Sequence, residues 1–247
     1  MNQETERFLR DFKELENLLI SMSGLDERSG FVSFSRALDT IKYERKNPIV
    51  SLGSVYLFLK NASDLRNMLS HENNICVPTS DFVEKFELIK SEIEHPLTAY
   101  QICTKADKIV YATYSSKLQD IVDLMVKSHL SHVPVISQGA VKGVFSSTTF
   151  FQSYFVNKKL KVDADFTIAD FLSVTGVREH LNEQFTFIPR NERAITLVNK
   201  FSKGKFGDKR TSCLFVTEHG RENEKLLGLI TELDLMQIPL LERQMMK

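Results

Sequence analysis

The sequence predicts an α+β protein in which an N-terminal helical bundle precedes two tandem β-α-β-β-α units related by pseudo-twofold symmetry. Three observations predict this fold. Apolar residues recur at helical spacing up to Pro96, short β-type runs follow it, and their order occurs twice. The chain of 247 residues is 42% hydrophobic and 26% charged, so it can bury the cores of two globular domains.

Two helices are predicted in the first half of the bundle. An apolar stripe at i, i+4, i+7 and i+11 predicts the first; it comprises Phe8, Phe12, Leu15 and Leu19. Gly24 ends it. The segment "FSRALDTIKYE" predicts the second helix, which Asn47-Pro48 terminates because the residue before a proline disfavours helical backbone.

Two more helices complete the predicted bundle. The segment "VYLFLKNASDLRNMLSHE" indicates a third helix, with an interruption around Asn61 to Ser63. The fourth, within "VPTSDFVEKFELIKSEIEHP", has a candidate capping box from Asp81 to Glu84. Helices of this number and length suffice for a small bundle.

After Pro96 the order strand, helix, two strands, helix occurs twice. The two final strands read "HVPVIS" and "GVFSS" in the first copy and "SCLFVTE" and "GLITE" in the second, which makes Gly143 and Gly228 equivalent. The second copy is longer because it contains extra polar segments. We therefore predict three regions, which span residues 1–95, 97–160 and 161–247.

This duplicated order, with "GVFSS" in one copy and "GLITELDL" in the other, resembles a tandem pair of CBS (cystathionine β-synthase) domains, a Bateman module, over roughly residues 97–240. The resemblance implies that an adenine nucleotide (AMP, ADP, ATP or a cyclic dinucleotide) binds between the copies. It also implies that occupancy of the cleft is passed to the attached domain. No further cofactor and no metal are expected, since the three cysteines lie far apart without CxxC spacing.

The second copy carries the motif from which ligand contacts are predicted. By resemblance, Gly228 opens the motif, Thr231 takes a phosphate or ribose oxygen, and Asp234 takes the ribose diol. The chemistry agrees, because an ionised carboxylate accepts both diol hydrogens and a helix start favours phosphate. The alternative is helix capping, with Thr231 as the N-cap and Asp234 as an acid in the first turn.

The first copy departs from that motif, since Ser146 and Thr149 stand where threonine and aspartate are expected. One hydroxyl cannot replace a carboxylate toward a diol, so we expect this cleft to be altered. By the same resemblance, His132 and Arg210 are candidate phosphate contacts. Their alternatives are a half-buried structural histidine and a solvated loop.

The helical region contains Arg66, Asn67 and, four residues later, His71, an order that resembles the signature of HEPN domains. HEPN domains usually dimerise, and the active ones are metal-independent ribonucleases. The resemblance implies proton shuttling by His71 and stabilisation of a charged phosphorane by Arg66. The alternative is that these side chains brace the following loop or a dimer contact.

Net charge is zero, but residues 1–95 hold 12 basic against 16 acidic residues, which argues against a nucleic-acid surface there.

Taken together, these features predict a homodimeric, cytoplasmic nucleotide sensor that is not an enzyme and does not bind a membrane. One alternative is an endoribonuclease gated by the nucleotide, for which RNA would be a partner. Another is a structural dimer whose clefts have lost their ligand.

Overall fold

The computed structural model describes residues 2–26, 30–71, 76–157, 165–201, 209–236 and 238. The chain divides into two units, Met1–Pro96 and Leu97–Lys247. Within the described residues, the first unit contains helices without strands and the second combines strands with helices, so the predicted α+β class is confirmed.

The described helices of the first unit are α1 (Gln3–Ser23), α2 (Phe34–Tyr43), α3 (Gly53–His71) and α4 (Ser80–Glu94). The predicted capping box at Asp81 is wrong, since the Thr79 hydroxyl accepts the first-turn N–H of Phe82 at 3.3 Å. The predicted interruption of α3 is also wrong. Leu59 and Ala62 are fully buried, and this tertiary packing outweighs the weak helix propensity of Asn61 and Ser63.

Aromatic rings form the centre of this unit. The predicted stripe on α1 is confirmed, because Phe8, Phe12, Leu15 and Leu19 are all at most 1% exposed. Phe8 meets Phe86 of α4 edge to face, with ring centroids 5.1 Å apart. The geometry is one of the favoured arrangements for aromatic pairs, so α1 and α4 are held in a defined register.

The second unit alternates short strands with helices. In chain order its elements are α5 (Ala99–Ile102), β1 (Thr104–Lys105), α6 (Leu118–Lys127), β2 (His132–Ser137), β3 (Ala140–Ser146), α7 (Thr149–Asn157), α8 (Leu172–Thr175), β4 (Glu183–Pro189), α9 (Ala194–Phe201), β5 (Arg210–Thr217), β6 (Gly228–Ile230) and α10 (Glu232–Met236). One sheet has the order β1-β6-β5-β4 and the other pairs β2 with β3. In the first copy, the strand equivalent to β4 is reduced to a single parallel bridge from Ala112 to Val135.

The two copies exchange their first segments. Strand β1, from the first copy, pairs with β6 of the second, so that Lys105 lies opposite Gly228. Reciprocally, Gly176 from the second copy bridges to Gly143 in β3. The core of the first copy accordingly includes residues of the second; these are Ile168, Phe171 and Val174. Each copy therefore completes the fold of the other.

The equivalent glycines Gly143 and Gly228 make these crossings possible. A Cβ on Gly143 would lie inside contact distance of the Thr175 carbonyl oxygen and 3.0 Å from its carbon. A Cβ on Gly228 would overlap the Cys103 sulfur and lie 2.8 Å from the Thr104 carbonyl oxygen. Close approach of the exchanged backbone thus accounts for both glycines.

Candidate functional site

A cleft of about 760 Å³ lies between the two copies of the second unit. One wall comes from residues around β1 and β2, and the other from the starts of β4 and β5 and the junction of β6 with α10. Four of the predicted ligand-binding residues line it; they are His132, Arg210, Thr231 and Asp234. Its volume lies within the usual range for small-molecule sites.

Asp234 stands at the start of α10 and caps the turn that precedes it. Its Oδ2 atom accepts the backbone N–H of Thr231 at 2.6 Å and the Thr231 hydroxyl at 2.8 Å. The helix-capping contacts expected of Thr231 and Asp234 are therefore present. Both bonds use the same carboxylate oxygen, which leaves the acceptor capacity of Oδ1 for a ligand in the cleft.

Part of the cleft lining is apolar. It includes Ile109, Val110, Pro134 and Leu229. Within the described residues, the N–H and C=O of Val110 have no hydrogen-bond partner, because the first strand of this copy is reduced to the bridge at Ala112. An apolar slot beside an unpaired peptide suits a flat heterocycle with donors and acceptors on its edge.

Two cationic side chains, Arg210 and Lys108, line the cleft. Arg210 donates to Glu232 at 2.9 Å, and both side chains are substantially exposed. Lys108 has no ion-pair partner within the described part of the chain. Lys108 and Val110 were missed by the sequence analysis, since the motif of the second copy gives no signal for residues of the first. Glu232 was missed because it occupies a position to which the motif assigns no role.

The motif of the first copy does not line this cleft directly, but it bonds a group that does. Thr149 accepts the backbone N–H of Ser146 at 2.8 Å, as Asp234 does for Thr231. Both Ser146 and Thr149 are fully buried, and the Ser146 hydroxyl donates to the carboxylate of Glu183 at 2.9 Å. Gly228 is also absent from the residues that line the 760 Å³ cleft. These three predicted contacts do not line the cleft themselves, but Ser146 bonds Glu183, which lines the cleft together with His132.

Glu183 gathers several donors around one carboxylate. His132 lies 2.7 Å from its Oε1, and the hydroxyls of Ser146 and Thr148 donate to its Oε2 at 2.9 and 3.1 Å. Burial by itself would raise the pKa of Glu183, but the interactions with His132, His180 and Ser146 outweigh it and hold that pKa well below its ordinary value. The carboxylate is thus stabilised in its ionised form.

The lowered pKa of Glu183 predicts a pH dependence of stability. A carboxyl group whose pKa is lower in the folded state stabilises the fold above its unfolded pKa, about 4.3, and this contribution is lost as pH falls through the folded value. We expect Glu183→Gln to cost about 2 kcal/mol at pH 7. The gap between parent and variant should narrow below about pH 4, as measured by urea denaturation across pH.

Glu218→Gln is the control for that measurement, because Glu218 is exposed and pairs with the exposed Arg190. Its gap to the parent should stay within about 0.5 kcal/mol at every pH. A gap for Glu183→Gln that stayed constant down to pH 3 would contradict the assignment. The groups that face Glu183 are His132, His180, Ser146 and Thr148.

The motif of the helical unit shows a different arrangement. Arg66 donates to Glu16 of α1 at 2.8 Å, and its guanidinium lies 5.1 Å from the centre of the Phe12 ring. The Glu16 side chain is only 6% exposed, so Arg66 neutralises a buried charge. Asn67 accepts a hydrogen bond from Arg66 at 3.2 Å. The side chain of His71 lies outside the described residues, and the catalytic assignment stays a prediction.

Comparison with known proteins bears on the second unit. Residues 99–154 match the family model of the CBS domain. The match begins in the exchanged segment at α5 and ends in α7, so this CBS domain corresponds to the first copy together with its β1 strand. A comparison with curated proteins found no match to the chain.

Solved structures of CBS domains are similar at low identity. CBSX2 in complex with AMP is 16% identical with a TM-score of 0.42, covering 59% of this chain and 98% of that one. The CBS domain of a bacterial CNNM/CorC family Mg²⁺ transporter in complex with ATP is 21% identical (TM-score 0.41; 63% and 94%). The CBS domains of a transcriptional regulator from Streptococcus pneumoniae are 20% identical (TM-score 0.38; 57% and 98%).

None of the described helices is long and apolar enough to cross a membrane. Across the same part of the chain, no group of three or more His, Cys, Asp or Glu side chains is arranged to hold a metal ion.

Proposed function

We propose that this protein is a nucleotide-sensing regulator that binds an adenine nucleotide in the 760 Å³ cleft of its second unit. One observation carries the proposal: an acceptor, a hydroxyl and cationic side chains from both copies converge on one cleft with an apolar wall. The CBS-domain match over residues 99–154 supports it independently.

Each part of an adenine nucleotide has a counterpart in the cleft. The adenine ring packs between apolar side chains and bonds through its edge to the free peptide of Val110. The ribose diol donates to Asp234, and the phosphates meet Lys108 and Arg210. A purine that reverses donors and acceptors on its edge, such as guanine, is rejected at the peptide because it leaves buried groups unpaired.

The proposal extends to signalling. Ligand binding orders the cleft, and its occupancy is passed to the helical unit of a cytoplasmic homodimer. The resemblance to Bateman modules supports this step. AMP, ADP, ATP and cyclic dinucleotides share the adenosine chemistry that the cleft recognises, and they differ in the phosphates presented to Lys108 and Arg210.

Asp234→Ala tests the site directly. We expect it to weaken AMP binding roughly 10- to 100-fold, because the ribose loses a charged acceptor. Isothermal titration calorimetry with AMP, ADP, ATP and cyclic di-AMP, with GMP as the mismatched purine, measures this effect. The parent should bind at least one adenine compound at least 10-fold more tightly than GMP.

A matched control separates ligand contact from helix capping. Asp170 caps Thr167 with the same two bonds: it accepts the backbone N–H at 2.8 Å and the hydroxyl at 3.0 Å. Asp170 is not among the residues that line the cleft. Asp170→Ala should therefore lose similar capping stability, about 1 kcal/mol, and keep its affinity for AMP within about 2-fold. Equal loss of affinity in both variants, or no binding of any adenine compound to the parent, refutes the proposal.

A further inference from the structure

The second copy contains extra chain at one defined place. Lys105 and Gly176 occupy equivalent pairing positions, and so do Ala112 and Ile188. In the first copy, Ala112 follows Lys105 by seven positions. In the second copy, Ile188 follows Gly176 by twelve positions. The connection before β4 is therefore five residues longer, and it includes His180 and leads into Glu183.

This longer connection packs against α7 of the first copy. The side-chain amide of Gln152 on α7 donates to the carbonyl of Glu179 and accepts the backbone N–H of Leu181 at 3.4 Å. Gln152 is 8% exposed and His180 is fully buried. The insertion is thus a folded part of the unit that covers the start of α7.

Glu183 places its carboxylate at the N-terminal end of α7. Its Oε2 atom accepts from Ser146 and Thr148, which immediately precede the helix, and its Oε1 faces His132. Hydroxyls, an imidazole and a helix N-terminus are the groups that proteins use to hold a phosphate or carboxylate. By internal symmetry, Ser146 corresponds to Thr231, the residue that lies in the nucleotide cleft.

His180 is a second and independent sign of an anion site. Its ring is fully buried, and its Nδ1 atom lies 3.3 Å from Glu183 Oε2. Neither ring nitrogen has a well-formed hydrogen bond within the described part of the chain. A buried imidazole without hydrogen bonds destabilises the fold unless an anion lies against it. The surroundings of His180 are therefore suited to a negatively charged group.

We infer that the start of α7 is an oxyanion site that the chain fills with its own Glu183, so that each chain takes one nucleotide. The carboxylate stands where a ligand phosphate would stand in the first copy. An external nucleotide is excluded there by the space Glu183 takes and by charge repulsion. The site accepts phosphate or a small carboxylate once Glu183 is removed.

Stoichiometry tests the part of this inference that rests on the proposed function. Equilibrium dialysis of the full chain with AMP should give one molecule bound per chain at saturation. Two molecules per chain would overturn self-occupancy. Absence of AMP binding would refute the nucleotide proposal alone, because the following experiment tests the oxyanion site without any nucleotide.

Rescue by added anions tests the site itself. Glu183→Ala should lower the melting temperature by about 5 °C, since the donors around the carboxylate lose their acceptor. Inorganic phosphate at 20 mM should restore at least half of that loss, and acetate should restore part of it, because both supply an oxyanion of suitable size to an emptied pocket.

Glu183→Gln is the matched control, since its amide keeps the volume and loses the charge. Phosphate should raise the melting temperature of this variant and of the parent by less than 1 °C beyond the effect of sodium chloride at equal ionic strength. The inference is overturned if phosphate stabilises all three proteins equally, or if Glu183→Ala stays unfolded when phosphate is present.

Discussion

Gly143→Ala is expected to lower the free energy of unfolding of the second unit by about 3 kcal/mol. The added Cβ meets the backbone carbonyl of Thr175, and no rotamer change can relieve a clash with main chain. The crossing segment also cannot move away freely, because Gly176 bridges to Gly143 and Val174 is buried in the core of the first copy. Urea denaturation followed by circular dichroism measures the loss.

Gly53→Ala is the control for that substitution. Gly53 lies in the first turn of α3 with nothing within 4 Å of its added Cβ, so the change should be neutral or slightly stabilising. If Gly143→Ala were as stable as the parent, the segment exchange between the two copies would be wrong. The proposed cleft, whose wall includes residues after β1, would then be wrong with it.

Arg66→Ala is expected to lower the free energy of unfolding of the helical unit by about 3 kcal/mol. The substitution removes the guanidinium that pairs with the buried carboxylate of Glu16. Lys13 still reaches Glu16 at 3.0 Å from the exposed side, which limits the loss. The packing of the guanidinium on Phe12 is lost as well. Urea denaturation of the full chain, followed by circular dichroism, reports the change.

A double substitution gives the decisive comparison. Glu16→Gln with Arg66→Ala should be more stable than Arg66→Ala alone, because removing both partners avoids a lone buried charge. Asn67→Ala, which removes only an exposed neighbour of Arg66, should stay within about 0.5 kcal/mol of the parent. Equal stability of the single Arg66→Ala variant and the parent would contradict a bracing role.

This ion pair also determines how the ribonuclease hypothesis must be tested. Loss of activity in Arg66→Ala would not separate catalysis from unfolding, since Arg66 holds α3 to α1 through Glu16. Metal-independent RNA cleavage by the parent that disappears in a folded His71→Ala variant is the appropriate readout. Equal cleavage by parent and variant would exclude the hypothesis.

The helices of the first unit were predictable because their signals are local. The apolar stripe of α1 repeats at helical spacing, and the same residues form the core. The uninterrupted course of α3 was not predictable, because Asn61 and Ser63 weaken helices locally and only the burial of Leu59 and Ala62 compensates. The Arg66–Glu16 pair joins residues 50 positions apart, a distance at which local patterns carry no information.

The sequence by itself determined the duplication, the motif that places Thr231 and Asp234 at a helix start, and the weakening of that motif in the first copy. Each depends on residues adjacent along the chain. Only the tertiary structure decided that β1 crosses to the other copy, that Lys108 and Val110 line the same cleft as Asp234, and that Glu183 reaches the start of α7. These contacts join distant segments, and their partners are selected by close packing and by neutralisation of buried charge across the whole unit.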